Sequence, residues 1–443
     1  MATLGEWRKR LDRGELDHIF DQLLLFGAEH KPDGQARERF RQLLDNSALA
    51  FAGLEKTSGQ DLLFFSAPGR TEIIGNHTDH QGGKVIAAAV NLDVWGMAGL
   101  SSEPVIHFHS AGWPSISLPL GDWEAKEEER GTSLAILRGL GAAFVNLGYM
   151  AKGLNIYCQS NVLQGSGLSS SAAIELVLAK IFNEFWADGR ETDVSLAKLG
   201  QFAENQFFGK PSGLMDQLAS ALGSAVYVDF APDAGLPVDV LSIDLDREGY
   251  ALCIVDSGAD HADLTPAYAA IPREMGQVAG FFGKELLSDL KQDEFYREIR
   301  ELRERFGDRA VLRSIHFFEE QVRVESAANA IKAGNFSDFL SEIRSSGRSS
   351  WEYLQNVVVA GEKVHQELAL ALALADKVLD GKGACRVHGG GFAGTIQAFV
   401  PKSDLENFKL QIENVFGKGS CHILKIREPG AFSLDLTSKL GLR

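Results

Sequence analysis

Three short segments of this 443-residue chain concentrate the side chains that could do chemistry. The first, APGRTEIIGNHTDHQGG at residues 67–83, sets Arg70, Asn76, His77, Asp79 and His80 among glycines between two apolar runs. Polar groups this dense beside core strands are costly to bury unless a ligand, or one another, satisfies them. Hydrogen bonding to a sugar-like ligand is the reading favoured over a self-satisfied turn. Metal binding is disfavoured, because HTDH lacks the usual zinc-ligand spacing and brings no cysteine. The second segment, QGSGLSSS at residues 164–171, leads directly into an amphipathic helix. Such a helix start offers unpaired N–H groups and the positive end of the macrodipole to a phosphate, and Gly165 and Gly167 let backbone approach it. The same serines would equally serve as the N-cap of an ordinary helix. No GxxxxGK[ST] occurs in the chain, which excludes a P-loop ATPase. The third segment, GGGFAG from Gly389 to Gly394, matches GxGxxG by letter but is followed by a strand, TIQAFV, instead of a helix. That excludes a dinucleotide fingerprint and leaves a flexible turn where backbone meets a ligand or other backbone.

The elements that must position these segments follow from periodicity. Between Glu6 and about Leu54, apolar residues recur at helical intervals, predicting two or three amphipathic helices. After SGQD come the short apolar runs LLFFSAP, KVIAAAVNLDV, PVIHFHS and SISLPL, which read as strands. The helix TSLAILRGLGAAFVNLGY, the strand LNIYCQS, the helix SSSAAIELVLAKIFNEFW and the helix VSLAKLGQFAENQFF complete a first α+β unit. YALCIVDSG begins a second unit as a strand, and charged helices then run from about Pro272 to SWEYLQNVVV. Strands return at GGGFAGTIQAFV and HILKI, separated by SDLENFKLQIENVF. With no long flexible linker between them, the two halves are expected to pack and enclose a cleft.

Composition narrows the class. There are 44 Lys+Arg against 60 Asp+Glu, a net charge of −16, so nucleic acid and anionic membrane surfaces are unfavourable partners. No stretch of about 18 apolar residues is present, and the amino-terminal residues carry no apolar leader. Four cysteines, Cys158, Cys253, Cys385 and Cys421, show no metal-ligand spacing. A soluble, cytoplasmic protein is the expectation.

The three segments, together with a fourth, AENQFFGKPSGLMDQ, resemble in type and order the galactokinase branch of the GHMP small-molecule kinases across roughly residues 65–400. The resemblance implies an α+β, two-domain GHMP kinase fold with ATP and a small-molecule sugar in the inter-domain cleft. Residues 1–60 would be an N-terminal helical extension, 61–235 the N-terminal kinase domain and 236–443 the C-terminal one. It implies Asp216 as the base taking the proton of the sugar's anomeric hydroxyl, with Arg70 beside it to keep it ionised. Gly165, Ser166, Gly167, Leu168, Ser169, Ser170 and Ser171 would bind ATP, with Gly389, Gly390 and Gly391 forming the adjoining wall. Mg²⁺ would be held by Ser171 and Glu204. Arg70, Asn76, His77, Asp79, Gly213, Asp216 and Tyr268 would bind the sugar.

Two departures bear on substrate. The family signature reads GEHTDY and this chain has GNHTDH, so Asn76 replaces a glutamate that accepts the sugar's 6-hydroxyl. Galactose remains the expected substrate, with galacturonate or another C4-axial sugar as the alternative, because an amide can donate to a uronate. Asp260 stands near the place of a basic residue usual in the family. A non-catalytic sensor of sugar and ATP is the alternative of another class, with the N-terminal helices as its interaction surface; intact SSSAA, Asp216 and Arg70 speak for turnover. Trp113 and Trp123 could stack on adenine, though core or surface packing is the simpler expectation for each.

Overall fold

The apolar runs after residue 61 form strands that organise the whole chain. The computed structural model describes residues 2–24, 34–52, 61–163, 165–258, 264–392 and 394–436, so Gln164 and Asp260 lie outside the described residues. An eight-stranded sheet contains β1 (Leu63–Ile74), β2 (Lys84–Leu100), β3 (Val105–Ser110), β4 (Ile116–Pro119), β5 (Leu154–Ser160), β6 (Ala225–Asp229), β7 (Val238–Leu241) and β12 (Phe432–Leu434). The second sheet has the order β11-β8-β10-β9, from Cys421–Leu424, Tyr250–Asp256, Thr395–Pro401 and Ala384–Val387. The first sheet therefore runs past residue 235 to Leu241 and takes back a strand from the chain's end, where Phe432 to Leu434 pair with Ser66 to Phe64. The pairing of AFSLD and the short strands AVYVD and VDVL are additions to what periodicity announces.

The long strand β2 serves as a spine. Lys84 to Ala88 pair with β6, and Val94 to Leu100 pair with β5, while β1 lies along the other side. The β1–β2 ladder shifts register between Pro68 and Arg70 and again between Glu72 and Ile74. Such bulges re-aim side chains next to functional sites, and here they flank Arg70 and Glu72.

Helices α4 (Ser133–Asn146), α5 (Ser170–Trp186), α6 (Asp193–Ala203) and α7 (Met215–Leu222) pack in the main core with β1, β2 and β5. Threonine caps start two of them, Thr132 accepting from the Ala135 N–H and Thr192 from the Ser195 N–H. The N-terminal helices α1 (Leu4–Asp12), α2 (Asp17–Leu24) and α3 (Gly34–Ala50) bury Trp7, Phe20 and Phe40 against Phe64, Trp95 and Phe432 in a separate cluster. These aromatic side chains are thus spent on the sheet. Asp93 pins this layer: it accepts from Arg39 at 2.7 Å, Arg427 at 2.7 Å and Ser66 at 2.8 Å. Arg39 also lies 3.8 Å from the Trp95 ring centroid.

In the second half, α8 (Leu245–Glu248) precedes β8. Helices α9 (Thr265–Phe281), α10 (Gln292–Arg297), α11 (Ile299–Phe306) and α12 (Asp308–Lys332) form a helical cluster. Helix α13 (Phe336–Ser349) ends in a π-helical turn at Ser350–Leu354, so the helical pattern expected through SWEYLQNVVV stops there. Helices α14 (Glu367–Leu379) and α15 (Leu405–Phe416) pack on the four-stranded sheet. Among the described residues no helix is long and apolar enough to cross a membrane, and all four cysteines are free thiols.

Candidate active site

The segment 165–171 turns sharply into α5. Ser169, the N-cap, adopts left-handed dihedrals (φ 53°, ψ 61°) and makes no capping bond to its own helix. A non-glycine residue held there carries strain of about 1–3 kcal/mol, which clusters at functional sites. Its hydroxyl instead donates to Asp216 Oδ2 at 2.6 Å, leaving the first N–H groups of α5 open to an anion. Gly167, at φ 73°, turns its carbonyl to Arg70 Nη1. Ser166 and Leu168 are buried, and Ser166 Oγ donates to the Leu163 carbonyl at 2.8 Å, so those two side chains point inward and only their backbone borders the turn.

Strand β1 comes against this turn at Gly69, where a Cβ would lie 2.8 Å from the Leu168 carbonyl oxygen. The next residue, Arg70, donates its own N–H to that oxygen at 2.9 Å. The bulge then aims its guanidinium at Asp216 in the first turn of α7: Nε reaches Oδ1 at 2.6 Å and Nη2 reaches Oδ2 at 2.7 Å. Burial alone would raise the Asp216 carboxyl, but the Arg70 charge and bonds, the Ser169 bond and the Lys210 charge outweigh it and hold the group below the usual aspartate value. Asp216 is therefore a carboxylate at neutral pH, with three of its roughly four acceptor positions occupied.

Asp79 lies beside this pair. Gly213 packs so closely on its Oδ2 that a methyl group has no room. Burial, aided by the charges of Glu72 and Asp216, pushes the Asp79 carboxyl up to about 6. Arg70, Asp79, Gly213 and Asp216 thus converge. The other expected sugar ligands stand apart in kind. Asn76 is fully buried; its Nδ2 donates to Glu72 Oε1 at 2.9 Å and to the Gly389 carbonyl at 2.6 Å, and its Oδ1 accepts from Asn356 at 2.7 Å. His77 Nε2 donates to the Gly390 carbonyl at 2.9 Å, and burial lowers its pKa to about 4, so it is neutral. Tyr268 OH donates to the Gly391 carbonyl at 2.8 Å, with its ring against Phe392. The three glycines expected beside the phosphates therefore turn their carbonyls to the sugar segment and Tyr268. The residues flanking them, His388 and Thr395, are what touch Gly167 and Ser166.

Next to the turn opens a cavity of about 700 Å³. Phe108, Trp113, Ile116, Val162, Ile174 and Phe208 form its apolar wall, and Ser170, Ser171, Glu175 and Glu204 its polar end. The size and polarity suit a nucleotide. Trp113 is 61% exposed and faces it, whereas Trp123 packs on Trp186 and over Gly141 in the core.

Glu204 begins a π-helical turn, Glu204–Phe208, after α6. It accepts from Lys210 Nζ at 2.9 Å, from Gln217 Nε2 at 3.0 Å and from the Ser212 hydroxyl. Gln217 also donates to Glu175 Oε2 at 2.9 Å, while Glu175 Oε1 is buried without a partner among the described residues. Burial and the Glu204 charge drive the Glu175 carboxyl well above its ordinary value. Lys210, Glu175 and Gln217 escaped the sequence reading. Lys210 and Gln217 lie inside AENQFFGKPSGLMDQ, and Glu175 sits one helical turn beyond Ser171, a spacing that would have flagged it. Among the described residues no group of three or more His, Cys, Asp or Glu is arranged to hold a metal.

A helix start fit for a phosphate, with an arginine-clamped carboxylate bonded to its N-cap serine and a nucleotide-sized cavity reached through the two serines that follow, is the arrangement of a small-molecule phosphotransferase. Residues 134–224 match the GHMP kinases N terminal domain, and residues 53–100 match the galactokinase galactose-binding signature. The chain is 30% identical over 366 residues to the galactokinase of Lactobacillus helveticus, covering 80% of this chain and 89% of that one. It is 28% identical over 378 residues to that of Limosilactobacillus reuteri, covering 82% and 91%. Its fold is similar to that of Lactococcus lactis galactokinase complexed with galactose, with a TM-score of 0.76 at 23% identity, covering 89% of this chain and 100% of that one. Methanococcus jannaschii mevalonate kinase is similar at a TM-score of 0.59 and 14% identity, covering 82% and 98%. The chain belongs to the galactokinase family of the GHMP kinases and is a sugar kinase that uses ATP.

Proposed function

We propose that the protein transfers the γ-phosphoryl group of ATP to the anomeric hydroxyl of galactose, giving galactose 1-phosphate and ADP. The observation that carries this is the Arg70–Asp216–Ser169 constellation at the mouth of the phosphate-binding turn. Asp216 has one acceptor position left, and the sugar hydroxyl fills it. The proton passes to that carboxylate as the hydroxyl oxygen bonds to phosphorus and the bond to the leaving ADP breaks. Arg70 and the α5 N–H groups offset the charge spread over the transferring group. Asp79 accepts from sugar hydroxyls, so an epimer that fails to reach it leaves a buried carboxylate unpaired.

The donor set at the polar end of the cavity fits Mg²⁺: a hydroxyl from Ser171, the Glu204 carboxylate, and the orphaned Glu175 oxygen close by. Ser171 and Glu204 would hold the ion, which when bound neutralises phosphate charge.

The position of Asn76 favours galactose over galacturonate. Both amide hydrogens are engaged within the protein, and the neighbouring group is a carboxyl, Glu72, that gives a uronate nothing to bind. Release of ADP from Mg·ATP with galactose, galacturonate, glucose and arabinose, with the product's phosphate position read by NMR, tests the reading. Turnover of galactose to the 1-phosphate is expected. Preference for galacturonate refutes the substrate assignment, and retained ATP and sugar binding without release from any sugar would favour a sensor.

A further inference from the structure

Outside the catalytic cleft, α13 and the turn after it carry Arg344, Arg348, Trp351 and Glu352 at helical spacing on one face. With Asp376 of α14 and Arg386 of the edge strand β9, they line a groove of about 310 Å³. The helix approaches the strand through Gly347, where a Cβ would lie 2.9 Å from the Cys385 carbonyl oxygen, and Arg344 donates to the Gly383 carbonyl at 2.8 Å.

The polar groups of this groove are held apart. The side chains of Arg348, Glu352 and Asp376 make no hydrogen bond or ion pair with one another or with any other described residue, although they share one small space. Arg386 is fully buried, and its Nε has no partner among the described residues. Trp351 is 42% exposed and forms part of the wall. Guanidinium groups take phosphate oxygens, carboxylates accept from hydroxyls, and an indole packs against an apolar C–H face. A ligand with all three complements in about this volume is a sugar bearing a phosphate. We propose that this groove binds a phosphorylated monosaccharide and that Arg386 relays its occupancy to the sugar site.

The relay is direct. Arg386 Nη2 donates to Glu72 Oε1 at 2.9 Å and Nη1 to the Ile73 carbonyl at 2.9 Å, and the same Glu72 oxygen accepts from Asn76. A phosphate that draws Arg386 toward the groove weakens its hold on β1 beside Asn76 and alters sugar affinity.

Calorimetry on the full chain with galactose 1-phosphate, inorganic phosphate and galactose as separate probes tests binding without turnover. The expected result is a galactose 1-phosphate site that Arg348→Glu and Trp351→Ala each weaken at least tenfold, with kcat and both KM values in the absence of the probe staying within twofold. In wild type, occupancy shifts the sugar KM at least threefold beyond simple competition, and the variants lose that excess. Binding within twofold of wild type in both variants overturns the site. Equal binding of inorganic phosphate reassigns it to a free anion and overturns the sugar-phosphate assignment. An unchanged sugar KM excess overturns the relay.

Discussion

Replacing Asp216 by asparagine keeps the side chain's shape and removes its charge. The carboxylate accepts at 2.6 Å from Arg70 Nε, 2.7 Å from Nη2 and 2.6 Å from Ser169. An amide leaves one oxygen to accept and sets an NH₂ group against one of these donors. Two effects follow. Loss of the proton acceptor costs about 10²–10⁴ in kcat, or about 3–6 kcal/mol of barrier at roughly 1.4 kcal/mol per tenfold. Loss of the fork leaves Arg70 partly unpaired, which lowers stability by about 1–3 kcal/mol. Sugar affinity moves only a few-fold, because the amide oxygen still accepts from a hydroxyl. Coupled ADP-release kinetics, calorimetric sugar binding and thermal unfolding on one preparation separate the three effects. Ser169→Ala is the control: it removes one of three bonds and keeps the base, so kcat falls by less than about tenfold on the scale of one hydrogen bond. An Asp216→Asn enzyme turning over within tenfold of wild type would falsify the base assignment.

The acid limb of the pH profile should belong to Asp79. Its carboxyl is raised to about 6, so as pH falls through that value it takes a proton and stops accepting from the sugar, while Asp216, held low, stays ionised. kcat/KM for sugar should therefore drop below pH 6 with KM for ATP flat; a profile level down to pH 5 contradicts this. Trp113→Ala should raise KM for ATP about five- to tenfold, the worth of one aromatic contact, and leave sugar KM unchanged. Asn76→Glu alone sets a second buried carboxyl beside Glu72 and should lower the melting temperature. The paired Glu72→Asn/Asn76→Glu chain restores one amide and one carboxyl and should recover it; a pair no more stable than the single variant would show that the two side chains are not coupled.

Much of the site was legible because its chemistry is contiguous in sequence. Gly165 and Gly167 before an amphipathic helix announce an anion turn, and the crowding of Arg70, His77 and Asp79 between strands announces a ligand. The pairing of Arg70 with Asp216 spans 146 residues, and only the family resemblance indicated it. What periodicity could not deliver was the direction of side chains after a bulge. The register shift past Glu72 places Asn76 inside the protein, where its amide serves Gly389 and not a ligand. Likewise, nothing in AFSLD reveals that Phe432 will pair with β1, because a three-residue strand has too little pattern to specify a partner. The N-terminal helices are amphipathic in the sequence itself, but the face that Trp7, Phe20 and Phe40 cover is a tertiary fact.

The third glycine-rich segment acquires its purpose from a chain of hydrogen bonds whose direction can be worked out. Gln397 Nε2 can only donate, and it does so to Thr71 Oγ1 at 2.6 Å. Thr395 Oγ1 donates to the Ser166 carbonyl at 2.9 Å, since a carbonyl can only accept. His388 lies between, 3.0 Å from Thr71 Oγ1 through Nε2 and 2.9 Å from Thr395 Oγ1 through Nδ1. With its one proton spent on Ser166, Thr395 must accept, so Nδ1 of His388 carries the hydrogen and Nε2 accepts from Thr71. That needs a neutral ring, and burial supplies it by lowering the pKa to about 3. The chain thus runs one way from the sugar segment to the phosphate-binding turn, through strand β10 of the other sheet. Two motifs nearly a hundred residues apart in sequence are set at fixed separation by a third, and fixed separation of two reactants is what phosphoryl transfer chiefly requires.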